Sequence, residues 1–181
     1  ERMNDYFTLI EKRESCRSFD PAKPVEKEKL VKCVEAARLA PSACNSQPWR
    51  FLVVTNPEKR AALCGAVQEM GMNKFASNAP VLTVVVEEAA NLSEKTAARF
   101  KNQDFASIDL GLAVSQYCYA ATEQGLSTCI LGWLNEKKIK ALFDIPEARR
   151  VRLVLATGYA AAGALRTKTR KPVEAIASFL E

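Results

Sequence analysis

Apolar residues recur at helical spacing in the first part of the chain. Tyr6, Leu9 and Ile10 form one stripe, with Asn4 or Asp5 able to cap a helix ending near Arg13. Residues 14–20 read as a loop broken at Asp20-Pro21. Leu30, Cys33, Val34 and Ala37 then predict a second helix over 26–39. A proline-bounded polar stretch, 41–49, separates it from a strand at 50–55. Asn56-Pro57 starts a third helix, and Ala61, Leu63 and Val67 mark its buried face.

The run 81–86, five of its six residues Val or Leu, reads as a buried central strand preceded by Ala79-Pro80. Residues 87–104 are polar and mixed in charge, which suggests a short excursion or a mobile lid. From 106 to 124 the chain is apolar on nearly every face, as in a central core helix or an interface helix, with Gly125 as its left-handed cap. A short strand at 127–131 and an Asn135-capped helix ending near Phe143 come next. In the last strand, 151–157, alternating Val151, Leu153 and Leu155 suggest an edge or half-exposed position. A small-residue linker at 158–163 leads to a basic tail, and Pro172 opens a terminal segment through Leu180. Helices and strands mix without a βαβ rhythm, so the class is α+β, and 1–181 reads as one domain.

Composition narrows the chemistry more than the fold. With 48% hydrophobic and 26% charged residues the chain is of the soluble globular kind. No apolar run reaches membrane-spanning length, so no membrane partner is expected and the location is read as cytoplasmic. The chain has no histidine, which removes His-based triads, H-E-x-x-H metal sites and imidazole bases. Six scattered cysteines lack C-x-x-C spacing and read as reduced, mostly buried thiols, with no metal site. Neither a Rossmann nor a P-loop glycine pattern occurs.

The charge distribution is more informative than the net +5. Seven basic residues and no acidic one fall between Ala148 and Val173, marking where an anion would bind. A small phosphorylated ligand is a more economical partner than nucleic acid, because RNP motifs and zinc-finger spacing are absent. A second basic group, Arg13, Ser15 and Arg17, offers bidentate phosphate donors and a hydroxyl where the first helix ends. Either cluster alone is ordinarily a solvated basic end.

In order and spacing, five pieces go together: R-x-S-x-R-x-F at 13–19, A-P-S-A-C-N-S-Q-P-W at 40–49, Ala79-Pro80 before the apolar strand, G-L-S-T-C-I-L-G-W at 125–133 after the long helix, and K-T-R-K-P at 168–172. In these the chain resembles the FMN-dependent nitroreductase family across nearly its whole length. The resemblance implies a mixed, mainly antiparallel sheet flanked by helices in an intertwined homodimer, with FMN at the interface. It implies that Arg13, Ser15, Arg17, Lys168 and Arg170 hold the phosphate and the polar edge of the flavin. Pro41, Ser42 and Ala43, with Asn45 and Gln47 nearby, would come from the other subunit. Cys129, Ile130, Leu131 and Gly132 would flank the flavin, the backbone N–H of Leu131 near N5. The function implied is reduction of nitroaromatics, quinones or similar small acceptors by NADH or NADPH, in a ping-pong cycle. A flavin carrier or sensor, or a specialised flavoenzyme of the same fold, is the alternative. Cys44 and Cys129 beside the flavin read as buried packing residues.

Overall fold

The computed structural model describes residues 5–161 and 166–180. Asn4 and the last two residues of the 158–163 segment lie outside that range. Among the described residues, six α-helices and four strands succeed one another in chain order: α1 (Tyr6–Lys12), α2 (Lys27–Arg38), β1 (Trp49–Val54), α3 (Pro57–Val67), β2 (Val81–Glu87), α4 (Leu92–Lys101), α5 (Phe105–Glu123), β3 (Ser127–Leu131), α6 (Glu136–Leu142) and β4 (Arg150–Gly158). Local chemistry sets most boundaries. Side chains of Asp5, Asn56, Asn91, Asp104 and Asn135 each accept a backbone N–H in the first turn of a helix. Gly125, at φ 75°, ends α5 where a β-carbon would be strained.

The strands form one sheet in the order β1-β2-β4-β3, each neighbouring pair antiparallel. A parallel bridge between Ser15 and Thr128 adds the segment after α1 to the outer edge of β3, which makes the sheet mixed. Period-two alternation along β2 sends Leu82, Val84 and Val86 into one core and Val85 into the other. The first core packs α3 and α6 against the sheet, and the second packs α2 and α5. In the second core the Tyr117 hydroxyl lies 3.4 Å from Thr83 Oγ1 and 3.3 Å from Thr157 Oγ1. Burial pushes its pKa up to about 12, so it stays a neutral partner for both threonines.

Three expectations change. First, β4 is an interior strand between β2 and β3, not an edge. The charges that suggested exposure are paired at its start: Arg152 with Glu87 and Asp104, and Arg150 with Glu136. Second, the polar excursion contains a ten-residue helix, α4, which packs against the short 3-10 turn at Ala43–Asn45. Third, the expected linker begins inside β4 and stays bonded: Tyr159 O accepts from Asp20 N at 2.9 Å, and Ala161 N donates to Ser18 O at 2.8 Å. No helix among the described residues is long and apolar enough to cross a membrane.

Gly158 ends β4 under Pro80, where an added β-carbon would sit 2.5 Å from Pro80 Cδ. Gly158→Ala is therefore expected to lower stability by about 1–3 kcal/mol, the usual penalty of overpacking. Thermal unfolding of the variant beside wild type checks it, and an unchanged midpoint would mean that Pro80 yields freely.

Candidate functional site

The segment after α1 is anchored by two inward side chains. Cys16 and Phe19 point inward, 3% and 2% exposed, while Arg17 and Ser18 face out. Cys16 N donates to Thr128 O at 2.8 Å, so the segment lies along β3 as a short added strand. Phe19 stacks on Phe75 with centroids 6.5 Å apart, anchoring its far end. Arg13 is the C-cap of α1, its backbone N–H bonded to Leu9 O. That fixes the start of the segment and leaves the Arg13 guanidinium at the surface.

The tail at 166–170 comes back over this segment. Arg166 pairs with Glu14 (Nε–Oε2 3.1 Å) and also donates to Ser15 O. Lys168 Nζ donates to Ile10 O at 2.6 Å and to Glu11 O. Those are among the last carbonyls of α1, which have no partner within the helix. Between segment and tail lies a cavity of about 360 Å³ lined by Arg13, Arg17, Arg166, Lys168 and Arg170, with Ser15 and one carboxylate, Glu14. Five cations facing one carboxylate leave a large excess of positive charge and many N–H donors, the donor set of a phosphate site. Lys168 responds to this crowding. Burial, then the charges of Arg13 and Arg170, hold its ammonium below the usual lysine pKa.

Thus Arg13, Ser15, Arg17, Lys168 and Arg170 all line one cavity. The wider basic run does not act as a unit. Arg149, Arg150 and Arg152 are spent on Glu88, Glu136 and Glu87, and only its later part reaches the cavity. Arg166 was not singled out from the sequence. Its signal was its place in that run, and its pairing with Glu14 required the fold.

Of the group expected on β3, Cys129 and Leu131 point into the first core, each 3% exposed, while Ile130 is 43% exposed. Gly132 comes directly after the strand and is exposed. Burial raises the pKa of the Cys129 thiol, Arg17 and Arg166 opposing it, which favours a neutral packing group.

Pro41, Ser42, Ala43, Asn45 and Gln47 do not line the cationic cavity of their own chain. They form a separate loop held by its own hydrogen bonds. Ser42 Oγ accepts from Gln47 N at 3.0 Å, and Gln47 Nε2 donates to Asn45 Oδ1 at 3.1 Å. Ala43 N donates to Asp109 Oδ2 of α5 at 2.9 Å. Cys44, Asn45 and Gln47 all adopt positive φ near 50°, a backbone that side-chain-bearing residues seldom take. Cys44 is exposed, contrary to the buried reading. Trp49 is half-buried against the second core, and Trp133 is 49% exposed with its indole N–H on Glu69 O. Among the described residues, no group of three or more Asp, Glu, His or Cys side chains is placed to hold a metal ion.

Similarity to known proteins accords with this arrangement. The chain is 28% identical to YdgI of Bacillus subtilis strain 168, over 98% of this chain and 99% of that protein, whose name assigns it provisionally as an NAD(P)H nitroreductase. It is 24% identical to the oxygen-insensitive NADPH nitroreductase of Helicobacter pylori strain J99, over 93% of each. The solved FMN-dependent nitroreductase of Clostridium difficile R20291 superposes with a TM-score of 0.78 at 25% identity, covering 96% of this chain and 98% of that one. The model of the nitroreductase family matches residues 10–71 and 66–159, from α1 to the end of β4. The chain belongs to the nitroreductase family.

Proposed function

We propose that the protein is an FMN-dependent NAD(P)H oxidoreductase whose flavin phosphate occupies the cavity between residues 13–17 and 166–170. The observation that carries this reading is the cluster of five cations around one carboxylate, on a cavity beside β3. Arg13 and Arg17 supply planar forks for phosphate oxygens, Ser15 adds a hydroxyl, and Lys168 and Arg170 close the opposite wall. At the end of β3, where Ile130 and Gly132 are exposed and the Leu131 side chain turns into the core, a backbone N–H serves the flavin ring. FMN, when bound, supplies the hydride and electron chemistry that no side chain of this histidine-free chain can perform. The protein contributes charge neutralisation, orientation and an apolar wall. NAD(P)H and a small electron-poor acceptor, a nitroaromatic or a quinone, use the site in turn, which gives ping-pong kinetics. The names of YdgI and of the Helicobacter pylori and Clostridium difficile relatives support the donor, the acceptor class and the flavin.

The working unit is a homodimer in which loop 41–47 of one copy, with Pro41, Ser42, Ala43, Asn45 and Gln47, completes the flavin pocket of the other. Supporting this, the loop lines no part of its own chain's cationic cavity. A broad apolar face is also open to solvent: Tyr6, Phe7, Leu39, Ile108 and Leu112 are 42–75% exposed. The tail is apolar and uncovered too, with Ile176, Phe179 and Leu180 at least 71% exposed.

The phosphate assignment is tested by comparing FMN with riboflavin, which differ by that group alone. FMN should bind about 100-fold or more tightly, as expected for several charge-assisted hydrogen bonds. Equal affinities, measured by fluorescence quenching, would move the phosphate elsewhere.

At alkaline pH, the pH dependence of binding comes from Lys168. An anion favours the charged ammonium, so binding raises the depressed pKa. Above the second pKa of the phosphate, about 6, affinity for FMN is therefore full until pH nears the Lys168 pKa, and it declines as pH rises through that pKa. Lys168→Arg keeps the charge at every accessible pH, and its titration should stay flat where wild type weakens.

A further inference from the structure

We infer that Ser46 and Glu94 compete for a single donor, the backbone N–H of Asn91, and that this competition sets how tightly α4 is latched onto the 43–47 loop. The inference builds on the proposed function, because that loop is the part of the flavin pocket given to the other copy.

Through its side chain and its backbone N–H, Asn91 makes three bonds. Its Oδ1 accepts from Glu94 N at 2.9 Å and caps α4. Its Nδ2 donates to Cys44 O at 3.0 Å, and its backbone N donates to Ser46 Oγ at 2.9 Å. The second and third bonds tie the helix to the loop. Asp109, through Ala43 N, holds the loop from the α5 side. The loop is thus gripped from two helices, and the α4 grip is the more exposed of the two.

The residues 91–94, Asn-Leu-Ser-Glu, have the spacing of a reciprocal capping box. In that motif the carboxylate three residues into the helix accepts the N–H of the capping residue. Here Ser46 has taken that N–H, so only the outward half of the box is formed. Glu94 is left 2% exposed, and its Oε2 has no hydrogen-bond partner. A buried carboxylate oxygen without a donor is rare and destabilising. The latched arrangement therefore carries an internal opposition. Releasing Ser46 closes the capping box, satisfies Glu94 and leaves the loop tied to α4 by the Asn91 Nδ2–Cys44 O bond alone. Asn91 is the positioning residue common to both arrangements, and neither state leaves its N–H without an acceptor.

Amide hydrogen exchange on the flavin-loaded protein reads both ends of this exchange, using wild type, Ser46→Ala, Ser46→Thr and Ser46→Ala/Glu94→Ala. In Ser46→Ala the amides of 43–47 should exchange about tenfold faster, the effect of losing one hydrogen bond. The Asn91 amide should keep its protection, because the Glu94 carboxylate takes it. In the double variant the Asn91 amide should lose that protection, and Ser46→Thr should restore the wild-type pattern. Glu94→Gln, with a neutral side chain that is less costly to bury, should slow exchange of the loop below wild type. An Asn91 amide that loses protection equally in the single and double variants, or keeps it in both, would overturn the inference. Flavin reduction by NAD(P)H is monitored on the same samples. Its failure would remove the proposed function, while the exchange pattern alone decides the latch.

Discussion

Replacing Arg13 and Arg17 together by alanine is expected to weaken FMN binding by at least about 100-fold while leaving the fold intact. Two charge-assisted contacts to phosphate, each typically about 1.5–3 kcal/mol, set that scale. The pair is chosen because neither guanidinium carries much of the structure. Arg13 caps α1 through its backbone, and the Arg17 side chain makes one long contact, 3.4 Å, with Ser15 O. Arg166 and Lys168 are poorer probes. They bind Glu14, Ser15 O and the end of α1, so their loss would disturb the cavity wall as well as its charge. The remaining affinity of the Arg13/Arg17 variant should also depend less on salt than wild type. Fluorescence titration at two ionic strengths, beside thermal unfolding without flavin, separates lost binding from lost fold. Undiminished affinity would show that these arginines do not hold the phosphate.

A second large effect is expected on α5. Ile108 and Leu112, one helical turn apart, are 53% and 42% exposed in the single chain. Ile108→Glu/Leu112→Glu should therefore do little to the monomer, because the new carboxylates stay in water. In a dimer that covers this face, each carboxylate would be buried without a partner, which ordinarily costs several kcal/mol. The expected result is a folded monomer by analytical ultracentrifugation, with FMN affinity lost together with the second copy's loop. A variant that remains dimeric would place the interface elsewhere. A monomer that still binds FMN tightly would show that one chain completes the pocket alone.

Much of this molecule was legible in its sequence for identifiable reasons. Helix starts were visible because Asp5, Asn56 and Asn135 are capping residues at the head of periodic stretches. The central position of β2 was visible because a strand covered on both faces need not alternate. The position of β4 was not, because Arg150 and Arg152 look solvent-facing until Glu136 and Glu87 are placed opposite them. Ion pairs between residues distant in the chain leave no local pattern. The helix α4 was hidden for a related reason: its sequence is polar, and its burial rests on Glu94, a residue type that seldom predicts a core position.

The cationic site was half legible. Arg13, Ser15 and Arg17 lie within five residues, and Lys168 and Arg170 lie two apart, so each group could be seen locally. That the two groups share one cavity depends on the tail returning across α1, through Lys168 and the Ile10 carbonyl. The role of Asn91 was not legible at all. Its partners, Cys44 and Ser46, are more than forty residues earlier, and an Asn before a helix already has an ordinary capping explanation.

The most direct test of the proposed function is an absorbance spectrum of the purified protein, recorded anaerobically before and after NADH and then NADPH. A bound flavin is expected whose visible bands bleach with at least one of the two donors and return when a quinone or nitroaromatic is added. A flavin that persists with both donors would contradict the reductase and point to a carrier or sensor. No flavin, even after incubation with FMN, would contradict the site itself.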